Sequence, residues 1–174
     1  MNLKAAILKE HSRAQCNYIV SWVGDNQKRF DELFDLFLND ENKVVQRAAW
    51  PVSYCVEAHP ELIKKHFSSL IQNLNKPNLH DAVKRNSTRL LQFVTIPEEY
   101  HGAIMNSCFD YLSSPTEALA IKVYSMMLLA KLARHYPEII PEIKLLFEDQ
   151  LPHQTAGFKS CAKKVLKEIK RIEK

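Results

Sequence analysis

Ala58-His59-Pro60-Glu61-Leu62-Ile63 returns later in the chain as Arg134-His135-Tyr136-Pro137-Glu138-Ile139-Ile140, and a third Pro-Glu, Pro97-Glu98, lies between them. The separations between these three Pro-Glu pairs are 37 and 40 residues. Proline is tolerated at the first position of a helix, where its missing N–H has no intrahelical acceptor to lose, and a following glutamate suits the positive end of the helix dipole. Each Pro-Glu therefore marks the start of a helix. Its return at a near-constant interval marks the repetition of one supersecondary unit.

A second series of residues keeps the same interval. Arg47, Arg85, Lys122 and Lys159 are spaced by 38, 37 and 37 residues, with Arg13 a looser fifth, 34 residues before Arg47. With only three glycines in the chain, periodic apolar residues fill the spans between turn signals. This predicts first helices near 3–9, 26–38, 60–74, 97–112 and 137–151, and second helices near 12–24, 43–58, 79–95, 116–135 and 155–173. Val45, Ala48, Ala49, Val52 and Cys55 form a stripe at helical spacing, as do Val83, Ser87, Leu90, Leu91 and Val94. One pair of helices cannot bury both of its stripes, so successive pairs must stack. The span 116–135 is apolar nearly all round and is expected at the centre of the core. Pro51, inside a helix, is expected to cost a backbone hydrogen bond and to kink it. The expected fold is all-α, an α-α superhelix of about five stacked helical hairpins, with residues 1–174 as a single domain.

A unit of about 37 residues built as a helical hairpin, with an apolar-x-basic-small stretch such as Val45-Gln46-Arg47-Ala48-Ala49, resembles the HEAT repeats. The turn aspartate common in such repeats is matched by Asp40 and Asp81 and has no counterpart in the later pairs. The resemblance implies an α-solenoid whose surface binds a partner. More distantly, the chain is similar to the DNA-alkylation-repair proteins, which are built of HEAT-like pairs with a basic concave face. No residue here matches their catalytic acid or aromatic-lined cleft one for one, and Trp50 and Asp81 are the nearest approach to it.

Composition narrows the function classes. No stretch reaches the roughly 20 apolar residues that span a bilayer, and the short apolar run near the start does not suit a signal-peptide core. Cys16, Cys55, Cys108 and Cys161 are too far apart for metal or redox spacing and read as buried, reduced thiols of a soluble cytoplasmic protein. Of the formal charge of +4, residues 152–174 supply seven basic residues against two acidic ones, so the basicity belongs mainly to one helix. No phosphate loop, HExxH, GxSxG or metal-spaced Cys/His cluster occurs. Neither catalytic residues, nor metal ligands, nor a cofactor are therefore expected.

The candidate binding residues are the basic series with its one-turn neighbours: Arg13, Arg47, Arg85, Arg89, Lys122, Lys159 and Lys163. Equivalent positions on successive second helices line one surface, and such a row can neutralise the phosphates of a nucleic acid. The same residues can instead bond neighbouring turn carbonyls or an acid of the next repeat, which makes them structural. His59 and His135 sit at helix C-termini, where an imidazole interacts with free carbonyls. His11, His66, His80, His101 and His153 show no partner in the sequence. Trp22 and Trp50 read as packing rather than base-stacking residues, and the basic C-terminal helix as a solvated cap. The expected function is that of a non-enzymatic scaffold binding a protein on its curved surface, with a nucleic-acid-binding module as the alternative and no membrane partner.

Overall fold

A computed structural model of the chain describes residues 1–173 and contains ten α-helices and no strand among them. The helices run α1 Leu3–Lys9, α2 Arg13–Val23, α3 Gln27–Asn39, α4 Asn42–Ala58, α5 Phe67–Leu74, α6 Asp81–Leu90, α7 His101–Ser113, α8 Leu119–Leu132, α9 Ile140–Gln150 and α10 Ala156–Ile172. They form five consecutive pairs, as the repeat requires. The chain falls into two compact units, Met1–Thr95 and Ile96–Lys174.

In the first unit the centre is α4, which packs against α1, α2, α3 and α6. Its fully buried Val44, Ala48, Ala49, Val52, Cys55 and Val56 meet an aromatic row from α3, in which Phe30, Phe34 and Phe37 follow one another at centroid distances of 5.8 and 5.6 Å. Small buried side chains on α4 and large ones on α3 let the two packed helices approach closely while the space between them is filled. Pro51 is buried within α4, which continues helical on both sides of it. Side chains tie the helix starts: Asn2, Ser12 and Asn26 accept from Ala5, Gln15 and Arg29 N–H as N-caps of α1, α2 and α3.

In the second unit α8 packs against α7 and α10, and buries Ile121, Met126, Leu128, Leu129, Ala130 and Leu132. It is central to this unit but less completely covered than its composition implies, since Leu119 and Met127 are 40% and 42% exposed. The helix is also shorter than the expected 116–135, because Ala118 is extended and serves as its N-cap. Phe147 of α9 and Phe158 of α10, both fully buried, meet edge to face at 6.3 Å.

The Pro-Glu sites at 60, 97 and 137 do open helical segments, but each begins as a tighter 3₁₀ turn: Pro60–His66 before α5, Glu98–Tyr100 before α7 and Pro137–Ile139 before α9, with a further Pro-Glu, Pro141-Glu142, in the first turn of α9. In the first of these the Leu62 carbonyl accepts from the Gln27 side-chain amide at 3.0 Å, a bond that takes up a helix carbonyl.

Candidate functional site

The basic series divides according to what each side chain touches. Arg13, at the start of α2, donates to the Tyr54 hydroxyl at 2.7 Å and lies over that ring at 4.5 Å. Arg89, near the end of α6, lies over the same ring from 4.2 Å and over Phe93 at 5.0 Å. Its guanidinium donates to buried Ser53 Oγ at 2.8 Å and to Glu57 at 2.5 Å. Two arginines from different repeats thus meet on one tyrosine of α4, each held by a hydrogen bond of its own.

Arg47 of α4 donates to the Leu8 carbonyl at 2.8 Å. Leu8 lies in the last turn of α1, where carbonyls have no intrahelical donor, so Arg47 supplies the missing bond from a different repeat. Arg29 does the same for α2, donating to the Trp22 carbonyl at 2.7 Å and stacking over the Trp22 ring. Arg85 differs. It is exposed, and among the described residues its guanidinium has no hydrogen-bond or ion-pair partner.

In the second unit, Lys122 is only 3% exposed and its ammonium donates to Gln150 Oε1 at 3.1 Å. Gln150 in turn donates to the Leu112 carbonyl at 2.7 Å, closing the C-terminal turn of α7. Burial pushes the Lys122 pKa down, against the nearby Glu117 carboxylate, which raises it. Lys159 is half-buried and Lys163 exposed on α10. The expected row of free cations is therefore broken: Arg13, Arg47, Arg89 and Lys122 join helices, while Arg85, Lys159 and Lys163 carry no such bond among the described residues.

Beside Arg47 and Arg85 lies a concavity of about 420 Å³, bordered also by His11, Lys43, His80 and Asp81. The α1–α2 connection, the first turns of α4 and the start of α6 contribute to it, all within the first unit. Lys43 and Gln46 were not singled out by the basic periodicity, because they belong to one repeat only. The signal available was their place on α4 one turn from Arg47 and immediately before it.

The histidines find partners that spacing does not reveal. His66 Nε2 lies 2.7 Å from Asp31 Oδ1, and Lys65 donates to the other oxygen at 2.6 Å. His101 is buried between the Ile96 carbonyl and the Tyr136 hydroxyl, at 2.9 and 3.2 Å. His59 caps α4 through its backbone N–H, while its ring faces Glu61 at 3.4 Å. Trp22 and Trp50 are both half-buried, Trp50 against His11 at 5.5 Å. The four cysteines are free; Cys16, Cys55 and Cys108 are buried and Cys161 half-buried. No group of side chains suited to a metal ion occurs among the described residues, and no described helix is long and apolar enough to cross a membrane.

Helix pairs repeated five times, with helix ends closed by side chains from a neighbouring helix, define a helical-repeat protein. A family model of the HEAT repeat domain matches residues 3–169, spanning both compact units, and the chain belongs to that family. The match names the HEAT repeat domain and no narrower group such as the DNA-alkylation-repair proteins. No curated protein and no solved structure matches the chain.

Proposed function

We propose that the chain is a non-enzymatic scaffold that binds a protein partner on the surface built by its helical pairs. The supporting observation is the use made of the basic series. A phosphate-binding row needs cations free to face the backbone of a nucleic acid, whereas Arg13, Arg47, Arg89 and Lys122 are engaged by a carbonyl, two hydroxyls, a carboxylate and an amide of adjoining helices. Helical repeats of this kind present surface rather than chemistry. The four free thiols agree with action in the reducing cytoplasm.

A nucleic-acid-binding module is the second reading, favoured by exposed, unbonded Arg85 and Lys163. One pair of measurements separates the two. Affinity capture from a nuclease-treated lysate should retain a defined protein, and anisotropy with labelled duplex DNA and single-stranded RNA should show no binding at physiological salt. Tight binding of either nucleic acid, falling steeply with salt and lost in an Arg47→Glu, Arg85→Glu variant of confirmed folding, would reverse the order of the readings.

A further inference from the structure

The concavity beside Arg47 and Arg85 has the chemistry of an oxyanion receptor. Its cationic side chains are Lys43, Arg47 and Arg85, and Asp81 is the carboxylate facing them; with histidines neutral, the lining carries two net positive charges. Lys43 and Arg85 are exposed, and neither has a hydrogen-bond or ion-pair partner among the described residues. Arg47 is held in place by its bond to the Leu8 carbonyl, which occupies one of its five N–H donors. His80 Nδ1 accepts from the Ala82 N–H at 3.1 Å, so in the neutral ring the proton resides on Nε2, which is then a donor. The positive ends of α4 and α6 reinforce the side chains.

We propose that this concavity receives a phosphate monoester carried by a segment of a partner protein; the proposal rests on the protein-binding reading and names the chemistry of the partner. A phosphoserine or phosphothreonine brings close to two negative charges and three acceptor oxygens, which match the net charge and the several donors lining the concavity better than a single carboxylate does. The volume of about 420 Å³ falls within the range of small-ligand pockets, leaving space for the atoms that carry the phosphate. A nucleic-acid strand would need further cations on either side for its next phosphates. The two other basic-series arginines of this unit, Arg13 and Arg89, are held against Tyr54, with Arg89 also paired to Glu57. With Arg13 and Arg89 so held, the basic series does not continue as free cations through this unit, which favours a single phosphate.

The test is a two-dimensional amide NMR titration of the full chain with N-acetyl-phosphoserine amide, alongside N-acetyl-serine amide and a short duplex DNA. Saturable shifts concentrated in residues 42–47 and 80–85, absent with the unphosphorylated compound, are expected. The double variant Lys43→Ala, Arg85→Ala should weaken them by about 10-fold or more, because charge-assisted bonds are lost. Neither side chain is bonded within the fold, so the rest of the variant spectrum should stay in place, and an Arg85→Glu variant gives a second, charge-reversing reading. The proposal fails if phosphoserine causes no saturable shift, if the shifts survive in both variants, or if duplex DNA saturates the same amides more tightly at equal salt. A protein captured equally by wild type and the double variant, with no phosphoserine response, removes the pocket and keeps the scaffold. Capture of nothing by the wild type, beside a clear phosphoserine response, does the reverse.

Discussion

Arg89 shows how much one side chain can be asked to do in such a repeat. It lies over Tyr54 and Phe93 and donates to Ser53 Oγ and Glu57, and Ser53 is fully buried. Arg89→Ala should cost about 2–3 kcal/mol in a urea titration, since it leaves a buried hydroxyl without its charged donor. Arg89→Lys should recover little of this, because an ammonium cannot lie flat on the rings and reach both oxygens. Loss of less than about 0.5 kcal/mol on alanine substitution would show that the cluster is incidental. Asp31 gives a prediction with a pH signature. Burial alone would raise its carboxyl pKa, but hydrogen bonds from Lys65, Gln27 and His66, together with the Lys65 charge, hold it at about 2. A depressed carboxyl contributes stability that is present above the unfolded value near 3.8 and is lost as pH falls towards 2. With solvent reaching the pair, Asp31→Asn should cost about 1 kcal/mol near neutrality, a gap that narrows below about pH 4. Equal urea midpoints for the two proteins at neutral pH would dispose of this account. For Arg89 a carboxylate of a neighbouring repeat was readable as a kind of partner, but the particular pairings were not. Arg89–Glu57, Asp31–His66 and His101–Tyr136 join residues 32 to 35 positions apart. A repeat period brings such residues into neighbouring pairs without saying which rotamers meet.

At the scale of the helix, the sequence carried more. Ten helical spans were legible because turn signals, Pro-Glu starts and apolar stripes agreed with one another, and agreement between local and global signals is what fixes an element. The pitch of the first turns was not legible. Pro60, Pro97 and Pro137 announce a helix start in either an α or a 3₁₀ winding, and tertiary bonds such as Gln27 to the Leu62 carbonyl bear on the choice. Two glycines allow the element scale to be tested with opposite signs. Gly24 ends α2 at φ 53° and ψ −135°, a conformation costly for any residue with a Cβ, while its N–H closes the helix on the Val20 carbonyl. Gly24→Ala should therefore destabilise by about 1 kcal/mol or more, even though the nearest atom a Cβ would meet is 3.9 Å away. Gly102 lies exposed near the start of α7, and a Cβ there meets nothing within 4 Å. Gly102→Ala should raise the thermal midpoint, by the equivalent of roughly 0.5 kcal/mol, because the alanine chain has less backbone freedom to lose. Thermal unfolding of both variants, read by circular dichroism, decides the signs. A stabilising Gly24→Ala would contradict the backbone argument.

Across the whole molecule, the four cysteines act as reporters distributed over both compact units. Cys16 on α2 and Cys55 on α4 are buried in the first unit, and burial pushes their thiols up to about 11 and about 12. Cys108 on α7, buried in the second, is raised to about 12, while half-buried Cys161 on α10 is raised by burial against the lowering effect of Lys164. A thiol must be exposed and ionised to react, so the three buried ones should be inert to an alkylating reagent until the helices around them separate. Stability in a repeat array is a sum of repeat and interface terms, which leaves open how many repeats open together. Here α4 packs against both α2 and α6, linking three helical pairs around one helix. The first unit should accordingly open as one body. Pulsed alkylation along a urea series, quantified at each cysteine by mass spectrometry, should give Cys16 and Cys55 a single midpoint, with Cys161 already labelled slowly in the native chain. A Cys16 midpoint well below that of Cys55 would mean that the α1–α2 pair peels away first and that packing on α4 does not bind the unit into one cooperative step.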